Sequence, residues 1–446
     1  MYGGGDDVSA IVVDVGTFST KGGYAGEDTP KAVFPTDIGV VFTNGKDGTV
    51  GVSQQGIGEN QDIDPEVKKN YYVGTNAITY KRHHMEIINP LNDGLIKDWD
   101  AMEQIWNHTF HERLNINPSD HPILLAEPSF NTRQIREKTA EIMFEKYHTP
   151  ALFVAKNAVL SSFASCKASS LVLDSGGGMT SIVPVHEGYV FKQGIVKSNL
   201  AGNRLTEEYY KVLSSKNITI NPVNLIKKVE IKPGEFSITP INMPELTESY
   251  RRYVTLETIR DLKETSCKVS DTQYLGEDFN IAQIPYELPD GNLLEIGSDR
   301  FQIPELLFNP APLNESMMNI VASAEGGLDQ HQQHATHQYQ GLAKMVLDSL
   351  ERCDTDIRKE MIGNLVLAGG NTLFPGFQDR LVREISEASN SHNKAKLVQN
   401  QSNDQKKFSV WIGGSILGSL GTFQQMWIGK SEWEEFGRPL VERKCP

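Results

Sequence analysis

The chain has 446 residues, of which 39% are hydrophobic and 8% aromatic, and its formal net charge is −14. That length suggests about three folding units, or two large ones, and the acidic balance excludes nucleic-acid capture by a global basic field. Cys166, Cys267, Cys353 and Cys445 form no CxxC pair, which speaks against zinc knuckles and a disulfide framework and fits a reducing compartment. The acidic, glycine-rich opening MYGGGDD is not a signal peptide, and no apolar run approaches the roughly 20 residues of a membrane span. The expectation is a soluble protein of the cytosol or nucleus.

Residues 11–26 (IVVDVGTFSTKGGYAG) read as strand, turn and strand, with a glycine-rich tip. Residues 43–70, rich in Gly, Asn, Gln and Asp, read as a mobile surface loop, and order returns at Tyr71, Tyr72 and Val73. Trp99, Met102, Ile105, Trp106, Phe110 and Leu114 recur at helical spacing and predict a helix packed on a core. HPILLAE at 121–127 reads as a buried strand. A helix follows Thr132 to about Tyr147, with Ile135, Ile142 and Met143 on one face. Leu171-Val172-Leu173 then runs into Asp174 and Gly176, and a second strand follows near 181–185. Two copies of strand–Asp–x–Gly–turn–strand predict an internal duplication: two α/β halves facing each other across a cleft. Residues 218–250 read as an insertion or cover, and 255–267 as a helix. A hairpin is expected at Pro289-Asp290-Gly291, and residues 313–340 drift into the low-complexity DQHQQHATHQYQ. Residues 341–358 read as helix-like, Leu365-Val366-Leu367 as a strand entering Gly369-Gly370, and the tail from Trp411 as a tightly packed helix pair.

Three glycine-rich turns thus follow three buried strands: Gly16 onward, Gly176–Gly178, and Gly369-Gly370. Glycine lets backbone approach a phosphate closely, and consecutive N–H groups in such turns form anion-binding concavities. A hairpin tip explains each turn alone about as well; their order, with Asp14 and Asp174 at two strand ends, favours the ligand. The two carboxylates suit a hydrated Mg²⁺ accompanying nucleotide phosphates. Lys21 on the returning strand is either a point charge for phosphate or a surface lysine. His331, His334 and His337 share a helical face, either for a metal or within a solvated insert. Lys81-Arg82-His83-His84 is either a solvated face or a partner or DNA contact.

These residues resemble the actin superfamily nearly end to end. DVGTFSTKGGYAGED and LVLDSGGGMTSIVPVHEGY resemble its two phosphate loops. LAGNRLT, IRDLKE, YELPDG, CDTDIRKE, LAGGNTLFPG, FSVWIGGSILGSLGTFQQMW and VERKCP continue the match. The resemblance implies an α/β, actin-like fold, two ribonuclease-H-like halves around a nucleotide cleft, with insertions. It implies four subdomains: 1–34, 80–163 and 409–446; 35–79; 164–199 and 316–408; and 200–315. It implies ATP (or ADP) with Mg²⁺. Asp14, Gly16, Thr17 and Lys21 match the first loop, where Phe18 replaces a glycine; Asp174, Ser175, Gly176 and Gly178 match the second. Gly202, Lys263 and Glu264 match positions at ribose and base, Gly369, Gly370, Asn371 and Phe374 the adenosine loop, and Lys407 a lysine at the base.

The hydrolytic positions depart from actin. Asn157 and Ser181 stand where actin has a glutamine and a histidine that place the attacking water, and Gly177 where it has a further aspartate. Phosphoryl transfer depends on positioning and charge stabilisation, so binding without efficient hydrolysis is expected. The segments at 43–70, 218–250 and 313–340 depart from actin and put polymerisation in doubt. Both ends of the chain look most like nuclear actin-related proteins, subunits of chromatin remodellers of the SWI/SNF, SWR and INO classes and of a histone acetyltransferase. That likeness implies a mainly nuclear location, pairing with nuclear actin, and docking on the helicase–SANT-associated helix of a remodeller ATPase among other complex subunits, with histones or nucleosomal DNA as further partners and no membrane. Ile416, Leu417, Leu420 and Thr422 match the partner groove of actin, with core packing as the equal alternative. The competing readings are an active actin-type or sugar-kinase-like ATPase and a cytoplasmic actin-related filament or nucleator subunit.

Overall fold

The computed structural model describes residues 9–44, 67–233, 235–241, 243, 245–276, 281–316, 338–389, 395–398 and 402–446. His331, His334 and His337 lie outside the described residues, as do most of the 43–70 and 313–340 segments. No helix among the described residues is long and apolar enough to cross a membrane.

Ile11–Val15 pairs antiparallel with Ser19–Tyr24 and parallel with Ile123–Glu127. This six-stranded sheet continues through Ala151–Lys156 to Ile428–Gly429 on one side and through Ser19–Tyr24 to Ala32–Pro35 on the other. Ser170–Ser175 repeats the arrangement in a second sheet, antiparallel with Thr180–His186 and parallel with Leu365–Ala368. The central strands are runs of Ile, Val and Leu because helices cover both faces: Ile11, Val12 and Val13, and Leu171, Val172 and Leu173, are all buried. The duplication goes further than the hairpins. Leu397 bridges Leu365 in parallel, the place that Ala151–Lys156 takes beside Ile123–Glu127. A helix follows each, Asn157–Ala164 in one half and Asn403–Ser419 in the other.

Those two helices cross between the halves. Ser161 Oγ lies 3.1 Å from Ser409 Oγ, and a Cβ at Gly413 would stand 1.8 Å from the Leu160 carbonyl oxygen. Each helix also reaches into the opposite half. Ala158 packs with Val172, Val183, Val185 and Val366, whereas the Trp411 indole donates to the Val12 carbonyl at 3.1 Å. The helix pair expected within the tail is therefore formed with residues 157–164; the later tail turns through Lys430–Phe436 and Leu440–Lys444. Its last residues enter the first core, where Arg136 donates to the Cys445 carbonyl and pairs with Glu127 and Glu442.

Other expectations hold with altered bounds. The helix at 99–114 is Trp99–Asn107 continued by a π-helical turn, His108–Arg113, with Met102, Ile105, Trp106, Phe110 and Leu114 buried. Thr132 caps Arg133–Glu141, its hydroxyl accepting from the Ile135 N–H at 3.4 Å. The helix at 255–267 is longer, Glu248–Ser266, because Thr247 caps it. Residues 341–358 form two helices, Leu342–Glu351 and Thr355–Gly363; Cys353 is buried at the corner, and Arg358 Nε donates to its carbonyl at 2.8 Å. The cover at 218–250 contains a hairpin, Ile226–Lys232 with Glu235–Pro240. Strands Ile38–Asn44 and Val67–Tyr72 pair with each other and claim both ends of the 43–70 loop.

Gly413→Ala is expected to destabilise the protein by about 1–3 kcal/mol or more, because the methyl meets backbone that cannot yield. Gly363→Ala, where an added Cβ meets nothing within 4 Å, is the control expected to stay within about 0.5 kcal/mol. Urea unfolding of the two variants checks both.

Candidate functional site

The two hairpin tips face each other. Each turn closes with the same backbone bond, Gly16 N–H to Ser19 O at 3.1 Å and Gly176 N–H to Met179 O at 3.0 Å. The tips touch where glycine permits it. A Cβ at Gly177 would lie 2.7 Å from Phe18 Cβ, and one at Gly178 2.6 Å from Thr17 Oγ1. The two positions are therefore coupled: Phe18 Cβ and backbone leave no room for a side chain at Gly177. The third turn enters beneath. Gly369 has φ +88°, and a Cβ there would sit 2.3 Å from the Ser175 carbonyl oxygen; Asn371 Nδ2 donates to Gly176 O at 2.9 Å. Helix Gly202–Ser215 begins against the second tip, with the Gly202 and Asn203 N–H groups donating to Gly176 O and Gly177 O.

Between these turns lies a cavity of about 370 Å³. Asp14, Gly16, Thr17, Phe18, Lys21, Asp174, Gly176, Gly177, Gly178, Gly202, Lys263, Glu264, Gly369, Gly370, Asn371, Phe374 and Lys407 all line it, and so do Asn157 and Ser181. Ser175 does not. It lies fully buried behind the wall, where its hydroxyl bonds Thr180 Oγ1 at 2.9 Å and accepts from Asn371 at 3.0 Å. Sequence reasoning missed Arg260, Phe130 and Met179 in the lining. Arg260 was recoverable, since it precedes Lys263 and Glu264 by three and four positions and shares their helix face; a loop aromatic such as Phe130 carries no such signal.

The electrostatics suit an anion with a cation. Lys21 Nζ sits 3.2 Å from Asp14 Oδ2 and donates to Ser19 O at 3.1 Å, at the base of the first tip. Burial, then the neighbouring Asp14, raises the Asp174 carboxyl to about 6, with Lys21 opposing. Two facing carboxylates of this kind are relieved by a divalent cation. Among the described residues no group of three or more His, Cys, Asp or Glu could hold a metal ion. Lys263 is committed to the protein: its ammonium donates to Gly202 O at 2.8 Å and Thr206 Oγ1 at 2.9 Å, and burial lowers its pKa to about 8. It props the start of helix Gly202–Ser215 and leaves Arg260, Lys21 and exposed Lys407 as the cavity's other cations.

Asn157 is also committed. Its Oδ1 accepts from Ser129 N–H at 3.2 Å, Ser129 Oγ at 2.8 Å and Ala158 N–H at 2.8 Å, while Nδ2 points to Asp174 Oδ2 at 3.5 Å. Ser181 stands opposite Asp174 in the hairpin register and is buried. Of the groove residues, Ile416, Leu420 and Thr422 are exposed, whereas Leu417 packs on the first core. The basic cluster at 81–84 lies at the surface, with His83 exposed and Lys81, Arg82 and His84 partly buried, which fits the solvated-face reading. Arg82 lies over the Tyr72 ring at 3.9 Å and the Tyr80 ring at 4.8 Å, and His83 pairs with Glu245.

A sequence model of the actin family matches residues 5–446. Two rice proteins named Actin-related protein 4, from Oryza sativa subsp. indica and subsp. japonica, are each 45% identical over 458 residues, covering the whole of both chains. The Actin-related protein 4 of Arabidopsis thaliana is 44% identical over 457 residues with the same full coverage.

Gly177→Ala is expected to destabilise the protein, and Phe18→Gly to relieve part of that cost. Thermal unfolding of the four-member cycle should give a coupling of about 0.5–3 kcal/mol; strict additivity would show that the tips do not touch. Asp174 gives a second expectation. Its folded value lies above the ordinary 3.8, so the stability of its neutral form is complete below that range and is lost as pH rises towards about 6. In the presence of chelator, Asp174→Asn should therefore match wild type near pH 3.5 and exceed it near pH 7 by up to about 3 kcal/mol, as read by urea titration at each pH.

Proposed function

The chain belongs to the actin family, and on that premise we propose that it holds ATP (or ADP) with Mg²⁺ without efficient hydrolysis, as an actin-like subunit of nuclear chromatin-remodelling and histone acetyltransferase complexes. The observation that carries the first part is the pairing of an intact phosphate cradle with idle hydrolytic positions. Three glycine-rich turns line one cavity that Lys21, Asp14 and Asp174 also line. Asp14 and Asp174 would hold Mg²⁺ through water, and the ion would neutralise phosphate charge when bound. Gly202, Glu264, Phe374 and Lys407 surround the remaining space for ribose and base, with Lys263 supporting the wall. The side chain of Asn157, by contrast, is fastened to Ser129, and Ser181 lacks the length of a histidine. Misplacing a catalytic group by about an ångström costs around a hundredfold. A ligand held by both halves stabilises the closed fold by linkage, so retention rather than turnover is the service the site performs.

The second part rests on likeness. The chain's ends resemble nuclear actin-related proteins, and the full-length relatives carry the name Actin-related protein 4. Exposed Ile416 near the end of helix Asn403–Ser419, with Leu420 and Thr422 just beyond it, offers a partly apolar patch to a partner helix such as the helicase–SANT-associated segment. The charge of −14 suits basic partner helices or histones. Nuclear actin is the proposed neighbour.

Purified chain, denatured and chromatographed, is expected to release about one intact ATP or ADP per chain; an empty cleft would remove the nucleotide from this account. Single-turnover hydrolysis should fall below that of conventional actin, and Asn157→Gln with Ser181→His should raise it about tenfold or more. Affinity purification from cells should recover a remodeller ATPase together with actin. Recovery with dynein-activating or branched-filament subunits alone would refute the nuclear assignment.

A further inference from the structure

We infer that strand Ile226–Lys232 is an open docking edge, which takes an extended acidic peptide from another protein as a third strand of its hairpin. The inference is independent of the nucleotide, and this surface is separate from the patch at Ile416, Leu420 and Thr422.

Ile226–Lys232 pairs antiparallel with Glu235–Pro240, and among the described residues no third strand joins either. The ribbon is well rooted. The Ile241 N–H donates to Leu225 O at 2.8 Å, Asn224 Nδ2 to Thr79 O at 3.0 Å, and Asn221 Nδ2 to Asp290 Oδ2 at 2.9 Å. Ile226 is buried, and Ile238 Cδ1 lies 4.0 Å from where a Cβ at Gly291 would stand. Lys228 is opposite Ile238 in the register, and Val229 is opposite Ser237. Directly opposed residues share a face, so the face of Ile226 and Ile238 leans on the protein, and that of Lys227 and Val229 points away. Beyond the root, burial stops. Every residue from Lys227 to Lys232 is exposed, with Val229 at 47% and Ile231 at 63%. The segment is one of those by which the chain departs from actin.

Such a strand is unfinished as a piece of sheet. Two strands alone are marginally stable in water, and β-branched residues favour strands because they pack on a pleated surface. Val229 and Ile231 lack that packing here. A peptide laid along the outer edge would add main-chain bonds and set side chains beside them. Charge selects the occupant. The strand carries three lysines and one glutamate in a chain of net charge −14. A second copy would bring its own lysines against these, and like charges across a strand pair are destabilising; the bulge between Glu230 and Lys232 blunts the edge further against self-pairing. Nucleic acid is held by cations, whereas Glu230 interrupts this run and the acidic chain repels phosphate. A peptide that alternates acidic and apolar residues meets both the lysines and Val229.

The test uses the full chain and a fluorescent peptide of alternating Glu and Val, with a peptide of alternating Lys and Val as its opposite. The acidic peptide is expected to bind, and at about 1 mM to give the amides of 227–232 at least about tenfold protection from hydrogen exchange. The basic peptide should give none. Val229→Asp should weaken the acidic peptide at least about tenfold, and Lys227→Glu with Lys228→Glu should reverse the preference between the two peptides. Lys359→Glu, the same change of charge on an exposed lysine of helix Thr355–Gly363, should leave binding unchanged. Every substituted side chain is exposed, so the variants are expected to fold. Binding without protection of 227–232, or equal binding of both peptides, would overturn the docking edge. So would a wild-type chain that binds neither peptide, that dimerises through this strand, or that holds duplex DNA there instead.

Discussion

The approach of two helix backbones at Gly413 and Leu160 sets the rest of the molecule in place. A helix pair this close needs a residue without a side chain at the crossing. It also makes each half incomplete alone, because each helix starts from one sheet and covers the other. Ala158 fills the second sheet, and Trp411 fills the first and satisfies the Val12 carbonyl. Once the crossing is fixed, the two central strands point their aspartates at a common space, and the turns that follow have no choice but to meet there.

Within that space the chain has exchanged one kind of fit for another. Phe18 Cβ closes on Gly177, and the Phe18 ring gives Arg260 a surface to lie on. Asn157 gives its carbonyl to Ser129 and its own helix start. Lys263 gives its ammonium to Gly202 and Thr206. Each of these groups is spent on holding a wall.

The strands, the three turns and the aspartates were legible because their signals are local: an apolar run, an Asp, then glycine. Actin-like resemblance extended that reading to Gly202, Glu264, Phe374 and Lys407. What was not legible depends on distant neighbours. Nothing in the string says that Gly177 touches Phe18, or that Arg82 lies over Tyr72 and His83 pairs with Glu245. Periodicity shows that the Trp411 helix has a tightly packed face but not that its partner is 157–164. Residues 341–358 read as helix-like, but the string does not mark the corner at buried Cys353, where Arg358 Nε donates to the Cys353 carbonyl. Ser175 matched a loop motif, yet strand alternation turned its side chain away from the cavity.

The bond from Trp411 to the Val12 carbonyl joins residues 399 positions apart. During synthesis at about 5–20 residues per second, roughly 20–80 s separate the two residues. Through that interval the strand Ile11–Val15 exists without the helix that covers it, and the sheet lacks its edge strand Ile428–Gly429 as well. The first half thus cannot mature in the order in which it is made. The cover of the first sheet arrives only with the last segment to be made, so the late completion of this core is a property of the topology rather than of any one residue.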